Sequence, residues 1–161
     1  MKWLLLCLAV ILVCGGCRYN PYARLYTTEK PRSQDVVGRY RLTRQTVTGE
    51  GLSALNGRTS VVELLPDGRF HAANLPPRRL PIADRSVFSK LLSGSGNWRI
   101  GICGRVDSGL GRERSAWGIY LESPGAEIEV ANLTGAKPPY SLILTIGDPD
   151  TGQVMMFERQ N

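Results

Sequence analysis

Ser60-Val61-Val62-Glu63-Leu64-Leu65-Pro66-Asp67-Gly68-Arg69-Phe70-His71-Ala72 is the stretch that decides the fold. Two short runs rich in β-branched and aromatic residues flank Asp67-Gly68, a dipeptide that tolerates the positive backbone angles of a tight turn, so the segment is a β-hairpin. On its N-terminal side, Val36-Val37-Gly38-Arg39-Tyr40-Arg41-Leu42 alternates, with Tyr40 and Leu42 on one face and Arg39 and Arg41 on the other, as a half-buried strand does. A glycine-rich connection containing residues 52–56 joins the two.

C-terminal to the hairpin, Leu75-Pro76-Pro77-Arg78-Arg79-Leu80-Pro81 cannot hold a ladder, because proline lacks the N–H that a strand donates. Val87, Phe88, Leu91 and Leu92 then recur at helical spacing, which predicts one short helix over 84–92, opened by Asp84 or Ser86 and closed at Gly94. The strand period resumes at 96–103, with Trp98, Ile100 and Ile102 on one face. A flexible loop is expected over 104–114. Residues 116–121 and 127–130 form a further hairpin around Ser123-Pro124-Gly125, with Ile128 and Val130 expected inward. The chain ends in a third hairpin, 141–146 and 154–159, turned by Asp148-Pro149-Asp150-Thr151-Gly152. Eight strands in sequence order predict an all-β fold, an eight-stranded antiparallel up-and-down barrel with one short helix, in which closure removes the exposed edges of an open sheet.

The N-terminus carries different information. Lys2, an apolar run from Trp3 to Val13, and Gly15-Gly16 lead into Cys17, the layout of a bacterial lipoprotein signal peptide. The run is about 12 residues long where a bilayer span needs about 20. Cys14 stands where the lipoprotein box usually has Leu, Val or Ile, so ordinary secretory cleavage is the competing reading. Three parts are expected: a signal peptide over 1–16, a lipid-anchored tether over 17–34 beginning at an acylated Cys17, and a barrel domain over 35–161. Arg18 resembles the non-aspartate residues that allow sorting to an outer membrane, which would place the protein on its periplasmic face in a two-membrane cell. In the tether, Tyr19, Tyr22 and Tyr26 could instead lie at headgroup level.

The formal net charge is +6, or +5 without residues 1–16, whose one charged side chain is Lys2. The excess is scattered arginine, clustered only at Arg78-Arg79 and at Arg112 and Arg114. No nucleic acid is expected in this compartment, whereas anionic headgroups or an acidic glycan are reasonable neighbours. With Cys7 and Cys14 removed and Cys17 acylated, Cys103 is a lone thiol, read as a small apolar residue packed on a strand.

Gly38-Arg39-Tyr40, the Pro66-Asp67-Gly68-Arg69-Phe70 hairpin and Gly94-Ser95-Gly96-Asn97-Trp98, with Pro138-Pro139-Tyr140 and the 147–152 turn, resemble the small lipocalin-like β-barrel domains of bacterial lipoproteins. The resemblance spans roughly residues 36–159 and implies a fold. It implies no activity, because that group has none established. A true lipocalin has Gly-x-Trp on its first strand. Here Gly38-x-Tyr40 takes that place and Gly96-x-Trp98 comes halfway along.

The sequence carries no catalytic, metal or cofactor motif. His71 is the single histidine, and Ser95 lacks the outer glycines of a nucleophile elbow. Asp148, Asp150 and Gly152 echo the start of a calcium loop without its remaining ligands, so a hairpin turn is the better reading. Two binding modes stay open for an anchored, non-catalytic envelope protein. Tyr40, Phe70, Trp98 and Trp117 could line an interior that carries a small apolar ligand, or simply fill it. Alternatively, a loop could bind or inhibit an envelope protein, with Arg78, Arg79, Arg112 and Arg114 as contact residues and Ser93-Gly94-Ser95-Gly96 faintly resembling the Ser-Gly loop of membrane-bound lysozyme inhibitors.

Overall fold

A computed structural model describes residues 20–47, 51–75, 91–107, 112–124 and 129–160. Eight strands, β1 (Gly38–Gln45), β2 (Val61–Leu64), β3 (Arg69–Leu75), β4 (Leu92–Asp107), β5 (Glu113–Glu122), β6 (Glu129–Thr134), β7 (Ser141–Thr145) and β8 (Val154–Arg159), follow one another around a closed barrel. Every neighbouring pair is antiparallel, and β8 closes onto β1 with Tyr40 opposite Arg159. Turns therefore alternate between two ends. The β2–β3, β4–β5 and β6–β7 turns and the start of β1 define a lower end, and the other four connections define an upper end.

The inward residues of all eight strands form one buried cluster, including Tyr40, Leu64, Phe70, Trp98, Ile119, Leu133, Leu142, Met155 and Phe157. Burying each such side chain contributes about 1.5–3 kcal/mol, which is what holds a barrel of short strands together. Irregularities re-aim individual side chains. A register shift between Leu42 and Arg44 turns Gln45 inward, where its amide donates to Gly51 O at 2.5 Å and accepts from Val47 N–H at 2.6 Å. That stitches the upper end, which Leu55 of a 3₁₀ turn (Gly51–Leu55) also covers.

All eight expected strands are present, with three differences. Residues 104–114 are not simply a loop: the ladder continues to Asp107 opposite Glu113, supported by the Arg105–Glu113 ion pair at 3.0 Å. In β6 the phase is the reverse of that expected, with Ala131 and Leu133 buried and Val130 facing outward opposite Tyr120. The helix expected over 84–92 lies outside the described residues except for Leu91 and Leu92, and Leu92 opens β4. The short helix observed is α1 (Ser33–Val36).

From Asn20 onward, the segment expected to be a tether lies on the barrel. Beyond the Gly118–Asn132 pair, the ladder between β5 and β6 ends, and Thr27 bonds to both strands. Its N–H donates to Leu133 O, its carbonyl accepts from Trp117 N–H, both at 2.9 Å, and its hydroxyl donates to Gly135 O at 2.8 Å. Thr27 is 1% exposed. Further back, Pro21 and Tyr22 lie beside Gly152 in the β7–β8 turn. Ile143 and Val154 point outward yet are 2% and 1% exposed. Past Thr27 the chain crosses the lower end to α1, where Val36 is fully buried and Arg159 donates to Asp35 O at 2.9 Å.

Candidate functional site

Three of the four aromatics expected to line the interior are packed into it. Tyr40 is fully buried and donates its hydroxyl to Val36 O at 2.6 Å, so its polar end is committed to the lower cover. Burial pushes its phenol up to about 12. Trp98, 8% exposed, donates Nε1–H to Leu65 O at 2.9 Å, and Phe70 is 3% exposed. Trp117 differs: it sits at the lower rim, half-buried, with the Lys30 ammonium 5.7 Å from its ring centroid, within cation–π range.

Trp117 belongs to an overhang. The β3 partners of β4 end at Asn97, opposite Arg69, with one further bond from Trp98 N–H to Gly68 O, yet β4 continues to Asp107 paired with β5 alone. Ile102 stands opposite Trp117 in the same inward phase as Trp98 and Ile100, but past the barrel end, where it is 51% exposed. An apolar face thus runs out of the core onto the surface. The hairpin edge is blunted. Tyr120 lies over Gly101 and donates its hydroxyl to Ile102 O at 2.7 Å, and the register shifts between Ile102 and Gly104.

Charges on the overhang are largely balanced. Arg99 pairs with Glu122 at 2.8 Å and stacks 4.1 Å from the Tyr120 ring centroid, while Arg105 pairs with Glu113. Of the expected contact residues, Arg112 and Arg114 are exposed at the foot of β5, Arg114 opposite Val106. Arg78 and Arg79 lie outside the described residues. Cys103 packs beside Gly118, its thiol directed at Gly101 O at 3.7 Å, and burial pushes it up to about 11.

On the outer wall, strand register aligns Glu63, His71 and Ser95 on β2, β3 and β4. No side-chain hydrogen bond joins them, so the row lacks the nucleophile–base and base–carboxylate contacts of a triad. Glu63 and His71 instead share the floor of an open groove of about 470 Å³ with Arg39, Arg41 and Gln160. Among the described residues no three His, Cys, Asp or Glu side chains are grouped to hold a metal. Asp148 is a cap: its carboxylate accepts from Asp150 N–H at 3.0 Å, opening the 3₁₀ turn Pro149–Thr151 that Gly152 ends in the left-handed region at φ 68°.

Two features of this surface were not marked by sequence pattern. Lys30 sits in a stretch with no hydrophobic period, and Ile102 has the phase of a core residue. Only the unequal length of β3 and β4 leaves Ile102 outside. Comparison with protein-family models, with curated proteins and with solved structures finds no match to this chain.

Proposed function

We propose that this chain is a lipid-anchored, non-catalytic binding module of a bacterial cell envelope, on the periplasmic face of the outer membrane in a two-membrane cell. It meets a partner protein through the β4–β5 overhang. The observation that carries the choice of surface is Ile102, inward in phase, opposite Trp117, and 51% exposed. Apolar side chains left exposed beside an aromatic, with charges at the rim, are the composition of a protein contact. The interior is the weaker candidate, because Tyr40, Phe70 and Trp98 are already packed and the polar ends of the first and third are bonded to backbone. Lys2 through Cys17 supports the anchor.

A photo-crosslinking residue placed at Ile102 in cells should give one discrete adduct that the same residue at Thr145, at the upper end, does not give. Ile102→Asp with a crosslinker at Arg114 should lose that adduct. Equal labelling from both ends would remove the overhang as the contact surface. An unmodified mass at Cys17 in membrane-extracted protein would remove the anchor.

A further inference from the structure

We infer that the barrel is held directly against the lipid surface by its upper, β7–β8 end, with the β4–β5 overhang pointing away from the membrane. This orientation rests on the acylated Cys17 of the preceding section and adds what the strap does to it. Pro21 and Tyr22 lie beside Gly152 of the β7–β8 turn, so the chain meets the barrel at its upper end. Only residues 18 and 19 separate Cys17 from Asn20. At no more than ~3.5 Å per residue, that leash reaches about 10 Å.

The strap is fixed at its other end as well. Thr27 is bonded to Leu133, Trp117 and Gly135, and Tyr26 bridges Thr134. Residues 20–27 therefore add no slack between the acyl chains and the domain. In an up-and-down barrel the β7–β8 and β4–β5 turns lie at opposite ends, so seating one presents the other. The exposed carboxylates at the seated end, Asp148 and Asp150, offer no attraction to anionic headgroups. The short leash is what holds this end down.

The test uses the full chain, processed and acylated in cells, reconstituted into vesicles of phosphatidylethanolamine with a minority of phosphatidylglycerol. In a Cys103→Ser background, a donor fluorophore is placed at Thr151→Cys or at Glu113→Cys, with an acceptor-labelled lipid in the bilayer. Strong energy transfer is expected from position 151 and weak transfer from 113, the two separated by roughly 30 Å, or about ten residues of strand. A flexible Gly-Ser spacer of about 20 residues inserted between Arg18 and Tyr19 should abolish the difference. Equal or reversed transfer from an acylated, membrane-bound chain would overturn the orientation and leave the anchor standing. A difference that survives the spacer would overturn the leash as its cause. A chain that leaves the vesicles and lacks the acyl mass would remove the anchor, and the orientation with it.

Discussion

Cys103 and Tyr40 are single residues whose chemistry is set by what covers them. The Cys103 thiol, pushed up to about 11 by burial, is almost wholly protonated near neutral pH, and the thiolate is the nucleophile. Alkylation by iodoacetamide at pH 8 should be roughly a hundredfold slower in the folded protein than in the same chain in denaturant. Comparable rates would mean that the strand opens locally around Gly101. Tyr40 couples burial to stability. Burial pushes its phenol up to about 12 in the folded chain, against 10.0 as the ordinary value. Above about pH 10 the unfolded chain therefore loses a proton that the folded chain keeps, and stability falls as pH rises through that window. Below it, this group contributes no pH dependence. Tyr40→Phe should flatten the alkaline decline in a denaturant titration while costing about 1–2 kcal/mol at pH 7, because Val36 O loses its donor.

At the scale of elements, periodicity made the strands legible and could not reveal what covers them. Tyr40 and Leu42 against Arg39 and Arg41, or the Asp67-Gly68 turn, state their roles locally, because a strand with one buried face must alternate. The strap over 20–27 has no such signature. Thr27 is held through backbone bonds to Trp117 and Leu133, 90 and 106 residues away in sequence, which any residue with an N–H can make. Val130 misled for a related reason: Ala131 and Leu133 are inward because Ile119 and Leu142 stand opposite them in register, information held by the partner strands. Gly118 shows how closely those strands approach. A Cβ there would collide with Ala131 O and with Cys103 Sγ, whereas at Gly94 it would meet nothing within 4 Å. Gly118→Ala should destabilise by about 1–3 kcal/mol, as overpacking does, while Gly94→Ala should fall within about 0.5 kcal/mol of the parent. Equal midpoints for the two in urea would mean that β5 and β6 can separate without cost.

For the molecule as a whole, the question is whether eight strands enclose packing or space. The buried cluster draws side chains from every strand and from Val36 below and Leu55 above, and Tyr40 and Trp98 spend their polar atoms on backbone carbonyls of the covers. A ligand entering from the lower end would have to displace that cover and break those bonds, each worth about 1 kcal/mol net and more if a buried carbonyl is left without a donor. A barrel of this strand number is either filled by its own side chains or holds one small ligand, and here the side chains fill the described interior. The wild-type protein should therefore neither enhance the fluorescence of an apolar naphthalene probe nor show quenching of Trp98 when the probe is added. Phe70→Ala, removing a ring that is 3% exposed, should cost about 3–5 kcal/mol and open a cavity that admits the probe with one-to-one stoichiometry. The comparison decides between the two binding modes. If the wild type already binds one equivalent with Trp98 quenched, the interior is a carrier site and the overhang loses its standing as the main contact. If only Phe70→Ala binds, the core serves to hold β4 and β5 rigid, and recognition belongs to Ile102 and Trp117 at the end those strands extend.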